Sequence, residues 1–122
     1  LALVMTIQGI AEAMVFARAN GVDFAPVFSA LAQGLAGSRM LDVFGQRMLD
    51  RAFVDGLDAS LHHKDVHIVL ETAKSSLVAM PGAALAAQAF NALFAEQGVR
   101  WDSSAILKVM EALSGFPGRA PA

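Results

Sequence analysis

The sequence predicts an all-α domain, a bundle of six helices led by a long first one, and three observations predict it. No stretch alternates apolar and polar residues between hairpin turns, as a half-buried strand does. Apolar residues recur instead at helical spacing, as Ile106, Leu107, Met110 and Leu113 do. Residues that start and stop helices punctuate the chain, with Asp23, Ser38 and Asp102 at starts and Asn20-Gly21 and Gly98 at stops.

The first helix is read from Leu1 to Asn20, rich in Ala, Leu and Met, and closed by Gly21 as a left-handed cap. Leu3, Val4, Ile7, Ile10, Met14 and Phe16 fall on most of its faces, so it must be surrounded by protein. Such a helix is either the central core helix or one shared with another domain or subunit. Met5, Met14, Met40 and Met48 are read as core filler. Asp23 caps a short second helix to Gln33, with Pro26 tolerated in its first turn. A break at Gly34–Ser38 leads to a third helix over 39–51, capped by Ser38. After the loop at Val54-Asp55-Gly56 comes the longest polar-faced helix, over 58–79. Pro81 starts an alanine-rich fifth helix that runs to Gln97. Asp102 caps the last helix, over 103–113. We divide the chain into a helical domain at 1–115 and a tail at 116–122, expected to fray.

With 122 residues and no cysteine, the chain is one domain without disulfides, thiolate metal sites or cysteine nucleophiles. That composition suits a reducing cytoplasm. It is 56% hydrophobic and 16% charged, against about 25% charged in an average soluble domain; mean hydropathy is +0.52. Either the chain is membranous, or its apolar surface packs on something else. The first helix is interrupted by Thr6, Gln8, Gly9 and Glu12, which weighs against a membrane span. A net charge of −2 with scattered Lys and Arg gives no footprint for nucleic acid. A start inside a helical pattern, without Met or a basic leader, leads us to expect more chain upstream.

No glycine-rich phosphate loop is present, because Gly34 and Gly37 lack both a preceding strand and a third glycine. No serine sits in a nucleophile elbow. The polar cluster that invites chemistry runs from Leu57 to Ile68. Leu57, Leu61 and Asp65 share a helical face that we expect to be buried, with Lys64 at its border. The pair Lys64 and Asp65 is either a solvated rim at the edge of the core or the wall of a cleft that meets a polar ligand. His63, His67 and Glu71 are spaced four apart, a geometry that can hold a divalent ion. The order differs from that of zinc hydrolases, so a solvated histidine-rich face is expected and no metal. Glu12 is either a buried carboxylate with a partner or part of a site wall.

Four segments, Ile10-Ala-Glu-Ala-Met14, Gln33-Gly-Leu-Ala-Gly-Ser38, Leu61-His-His-Lys-Asp-Val66 and Asp102-Ser-Ser-Ala105, stand in an order and spacing that resemble one family. It is the C-terminal domain of the β-hydroxyacid dehydrogenases, similar in style to tartronate semialdehyde reductase and 3-hydroxyisobutyrate dehydrogenase. The resemblance covers nearly the whole chain up to Leu113. It implies a bundle like the C-terminal domain of 6-phosphogluconate dehydrogenase, preceded by a Rossmann domain that holds most of an NAD or NADP cofactor. It implies a catalytic lysine just upstream of Leu1, so none in this chain. Lys64 matches a lysine that contacts the nicotinamide cofactor, and Asp65 matches a substrate-pocket position. Leu57 matches a pocket-wall position that is often phenylalanine in tartronate-type relatives. The implied partners are the N-terminal domain, a small β-hydroxyacid, and further copies of the chain in a dimer or tetramer. The competing reading is a helical interaction module without chemistry.

Overall fold

In the computed structural model, which describes residues 1–95 and 100–116, the described residues form helices and one isolated bridge, with no strands. α1 (Ala2–Ala19) is the axle: α2 (Phe24–Gln33), α5 (Pro81–Ala95) and α6 (Ile106–Leu113) all pack on it. α3 joins a π-wound stretch, Leu41–Gly45, to an α-helical one, Gln46–Asp50. α4 (Ala59–Ser76) lies outermost, against α5. Ile7, Ala11, Met48, Phe90, Ile106 and Leu107 fill the centre. α1 is long and apolar enough to cross a membrane by length and composition, and here it serves as the core helix.

The helix ends follow from local chemistry. Gly21, at φ +70°, closes α1: its N–H donates to Arg18 O and the Val22 N–H reaches back to Ala17 O at 2.9 Å. The Ser38 hydroxyl accepts from the Leu41 N–H at 3.1 Å and starts the third helix. Asp23 stands at the start of α2 in extended backbone, but its carboxylate makes no cap bond. Asp102 caps a 3₁₀ turn, Ser103–Ala105, that leads into α6. The predicted end of α5 at Gln97 and Gly98, and residues 117–122 of the tail, lie outside the described residues. Phe116 is described, and its ring packs under the Arg18 guanidinium, 4.8 Å from centroid to carbon.

Two expectations need correction. α4 ends at Ser76 rather than Ala79, because Leu77 turns into the left-handed region at φ +54° and closes the helix without a glycine. Glu12 is exposed on α1 and accepts from the buried Gln8 amide, one turn back, at 2.9 Å. The buried carboxylate is instead Glu111 of α6. It takes both nitrogens of Arg51 at 2.9 Å and one of Arg18 at 3.1 Å. That hydrogen bonding raises the Arg51 pKa further above its ordinary value.

Leu77 combines left-handed backbone with a side chain 94% exposed, so it carries strain without compensating burial. Leu77→Gly should stabilise the fold by about 1 kcal/mol and raise the melting midpoint by roughly 4 °C. Calorimetric melts of the two proteins check this; a lower midpoint in the variant contradicts it.

Candidate functional site

The start of α4 is built by two loops that cross. The Ala59 N–H donates to Trp101 O at 2.8 Å, and the Asp102 N–H to Phe53 O at 2.6 Å. Asp58 caps α4, accepting from the Ser60 N–H at 2.9 Å and from Arg100 Nε at 3.0 Å. The Ser60 bonds, and to a lesser degree the Arg100 charge, hold its carboxyl below the usual carboxylate range. Asp102 is almost wholly buried. One oxygen accepts from the Ser104 N–H at 2.9 Å, the other from Arg47 at 2.9 Å. Gly56 passes so close that a Cβ there would overlap both the Asp102 carboxylate and the Arg47 guanidinium. The loop therefore requires glycine at that position.

α4 turns Ala59, His62, Val66 and Ala73 inward, not the Leu57–Leu61–Asp65 face expected to be buried. Small side chains and one histidine let α4 lie close to its neighbours, and the larger apolar side chains point out. Leu57 is 48% exposed, Leu61 44% and Ile68 55%. Between them Lys64 Nζ and Asp65 Oδ1 pair at 3.2 Å, with both side chains more than half exposed. Lys64 and Asp65 are thus paired neighbours on the exposed side of α4, and Leu57 is exposed in the loop that precedes it. A cavity of about 410 Å³ lies elsewhere, lined by Met14, Arg18, Phe24, Met48, Arg51 and Glu111. Neither Lys64 nor Asp65 reaches it.

The histidines divide, which corrects the expected solvated face. His62 is buried, its Nδ1 sharing a 2.6 Å hydrogen bond with Ser103 Oγ and its ring near Phe44. His63 shares a 2.8 Å bond with Asn91 Oδ1 and packs on Phe94 and Phe90 of α5. His67 is exposed, its ring tilted against that of His63 at 4.5 Å between centroids. Among the described residues no three His, Asp or Glu converge as a metal set. The junction of Arg47, Asp102, His62 and Ser103 escaped sequence reading except for Asp102 as a cap. Its members stand 41 and 55 residues apart, so no local pattern announces it.

Burial pushes the His62 pKa below 6.5, against the opposing pull of Asp65 and Asp102 and with a smaller push from the chain's amino terminus. As pH falls, the unfolded ring takes up its proton before the folded one. The stability His62 contributes is therefore full above about pH 6.5 and is lost as pH drops from there toward the folded pKa. Melting midpoints should fall more steeply between about pH 7.5 and 5.5 in the native chain than in His62→Leu. Parallel slopes contradict this assignment.

A nicotinamide dinucleotide would find only part of a site here. The open face offers one ammonium, at Lys64, amid apolar side chains, and the chain has no glycine-rich loop to cradle phosphates. That fits one wall of a cofactor site.

Comparison with known proteins gives a family and a partial match in length. Residues 1–110 match the family described as NAD-binding of NADP-dependent 3-hydroxyisobutyrate dehydrogenase. The chain is 36% identical over 110 residues to the 2-hydroxy-3-oxopropionate reductase of Escherichia coli, covering 90% of this chain and 38% of that protein. It is 31% identical over 114 residues to a mitochondrial 3-hydroxyisobutyrate dehydrogenase-like protein of Arabidopsis thaliana, covering 93% and 34%. The fold is shared with 3-hydroxyisobutyrate dehydrogenase from Salmonella typhimurium, at a TM-score of 0.82 and 23% identity, over 88% of this chain and 38% of that one. The Mycobacterium tuberculosis 3-hydroxyisobutyrate dehydrogenase gives 0.78 at 18% identity, over 89% and 40%. The chain spans little more than a third of the length of the curated relatives it matches.

Proposed function

Since the chain belongs to the NAD-binding family of NADP-dependent 3-hydroxyisobutyrate dehydrogenase, we propose that it is the helical half of an NAD(P)-dependent oxidoreductase acting on a short β-hydroxyacid. The class includes 3-hydroxyisobutyrate and the glycerate/tartronate semialdehyde pair. One observation carries the reading: Leu61 and Ile68 of α4, and Leu57 in the loop just before it, are exposed, and the same helix carries the exposed Lys64–Asp65 pair. An apolar face of that kind marks a surface made to be covered. We assign its cover to an N-terminal Rossmann domain of the same polypeptide, with the substrate cleft along the seam.

When bound, the nicotinamide supplies the hydride acceptor or donor for the carbinol carbon. Lys64 holds the cofactor by a charge-assisted contact. Asp65 accepts hydrogen bonds from the polar end of the substrate, and Leu57 excludes water beside it. The proton of the hydroxyl is assigned to a general acid–base outside Leu57, Lys64 and Asp65. A second apolar face, with Phe16, Leu85 and Leu113 exposed around Glu12, is assigned to contact between copies in a dimer or tetramer. We place the enzyme in the cytoplasm.

The test is an assay of the chain joined to its upstream domain, with NAD and NADP each offered against a panel of short β-hydroxyacids. Formation of reduced nicotinamide with at least one substrate is expected. No turnover with any pair, together with no nucleotide binding, overturns the reading.

A further inference from the structure

We infer that His62 and Ser103 form a positioning pair, which fixes the turn of α4 that carries Lys64 and Asp65 by bonding it to the start of α6. The inference rests on the assignment of Lys64 to the cofactor.

Histidine is a costly choice for the inward face of α4, where Ala59, Val66 and Ala73 are its companions. A buried imidazole without partners forfeits its hydration, whereas a leucine there would lose nothing. The 2.6 Å bond to Ser103 Oγ accounts for the choice. Ser103 is itself fully buried, in the 3₁₀ turn capped by Asp102, and Asp102 is pinned by Arg47. The anchor is therefore rigid. Burial keeps the ring toward its neutral form, which has one donor and one acceptor nitrogen.

The other ties between the two loops act earlier. The Ala59 N–H to Trp101 O bond and the Asp58–Arg100 pair hold the first residues of α4. Such ties fix where the helix begins; within the turn itself His63 bonds Asn91 and packs on Phe94 of α5, and the His62–Ser103 bond adds the tie to the start of α6. Lys64 lies on the far side, two residues beyond His62. A roll of about 20° moves a side-chain tip roughly 6 Å from the axis by about 2 Å, enough to lose a hydrogen bond. The His62–Ser103 bond, made from the inward side of the same turn, opposes that roll.

The experiment measures dissociation constants for NAD and NADP by calorimetry in the full-length enzyme. Ser103→Ala and His62→Leu should each weaken binding about 3- to 10-fold, the size of one lost neutral hydrogen bond. His62→Asn, whose amide places a polar atom where Nδ1 stands, should recover most of the affinity. In a Lys64→Ala background, Ser103→Ala should cost nothing further, an outcome that general loosening of the fold does not produce. Full additivity of the two losses overturns the proposal, as does unchanged affinity in both single variants while Lys64→Ala weakens binding. Should Lys64→Ala alone change nothing, the cofactor assignment fails instead. Amide exchange over residues 62–66 then judges the pair: Ser103→Ala accelerates it if the bond holds this turn, and unchanged exchange refutes the role.

Discussion

Asp102→Ala should cost about 3 kcal/mol of folding stability and roughly 10 °C in melting midpoint. Two losses combine. The Ser104 N–H at the head of α6 loses its cap, worth about 1 kcal/mol, and Arg47 loses the carboxylate that neutralises it at 2.9 Å. Because the Arg47 side chain is 29% exposed, its guanidinium can turn toward water, which keeps the loss near the lower end of the ~3–5 kcal/mol seen for deeply buried pairs. Asp102→Asn retains a cap acceptor and should fall between the two. Urea titrations monitored by helical circular dichroism read all three proteins. A loss below about 1 kcal/mol in the alanine variant refutes the view that this junction fastens α3, α4 and α6 together.

Lys64→Ala in the full-length enzyme should raise the cofactor KM about 10- to 100-fold, the range expected when a charge-assisted hydrogen bond is removed. The fold should not suffer, since the Lys64 side chain is 63% exposed and its ion pair among the described residues is with its neighbour Asp65, a contact worth little in water. The kcat should change less than KM, because a lysine that binds the nucleotide equally before and during the reaction contributes uniform binding. Steady-state kinetics with the cofactor varied at saturating substrate separates the two parameters. Unchanged cofactor kinetics, with melting behaviour intact, would remove Lys64 from the site.

What the sequence made legible was local. Gly21, Ser38, Pro81 and Asp102 announce helix ends because capping is decided within a few residues. The end of α4 was misplaced for the same reason: Leu77 takes the left-handed turn without the glycine that would mark it. The π-wound start of α3 left no signature either. The inward face of α4 was misassigned because pattern reading follows large apolar residues, and here they point outward. Ala59, Ala73 and a bonded histidine do the packing. That reversal is informative. Leu57, Leu61 and Ile68 are apolar and exposed in this chain, which is what the proposed covering domain would explain. Glu12 was expected to have a partner that sequence reading did not name; the structure supplies Gln8, one helical turn back. The ties of His62 to Ser103 and of Arg47 to Asp102 were not, because they join residues distant in the chain.

The exposed side of α4 at Lys64 is assigned to a nucleotide site. Acetylation of the full-length enzyme with and without bound NADP or NAD tests it most directly, with each lysine read by mass spectrometry. Lys74 lies near the far end of the same helix and serves as the internal reference. Cofactor should slow the labelling of Lys64 strongly and leave Lys74 unchanged. Equal labelling of Lys64 with and without saturating nucleotide contradicts the account.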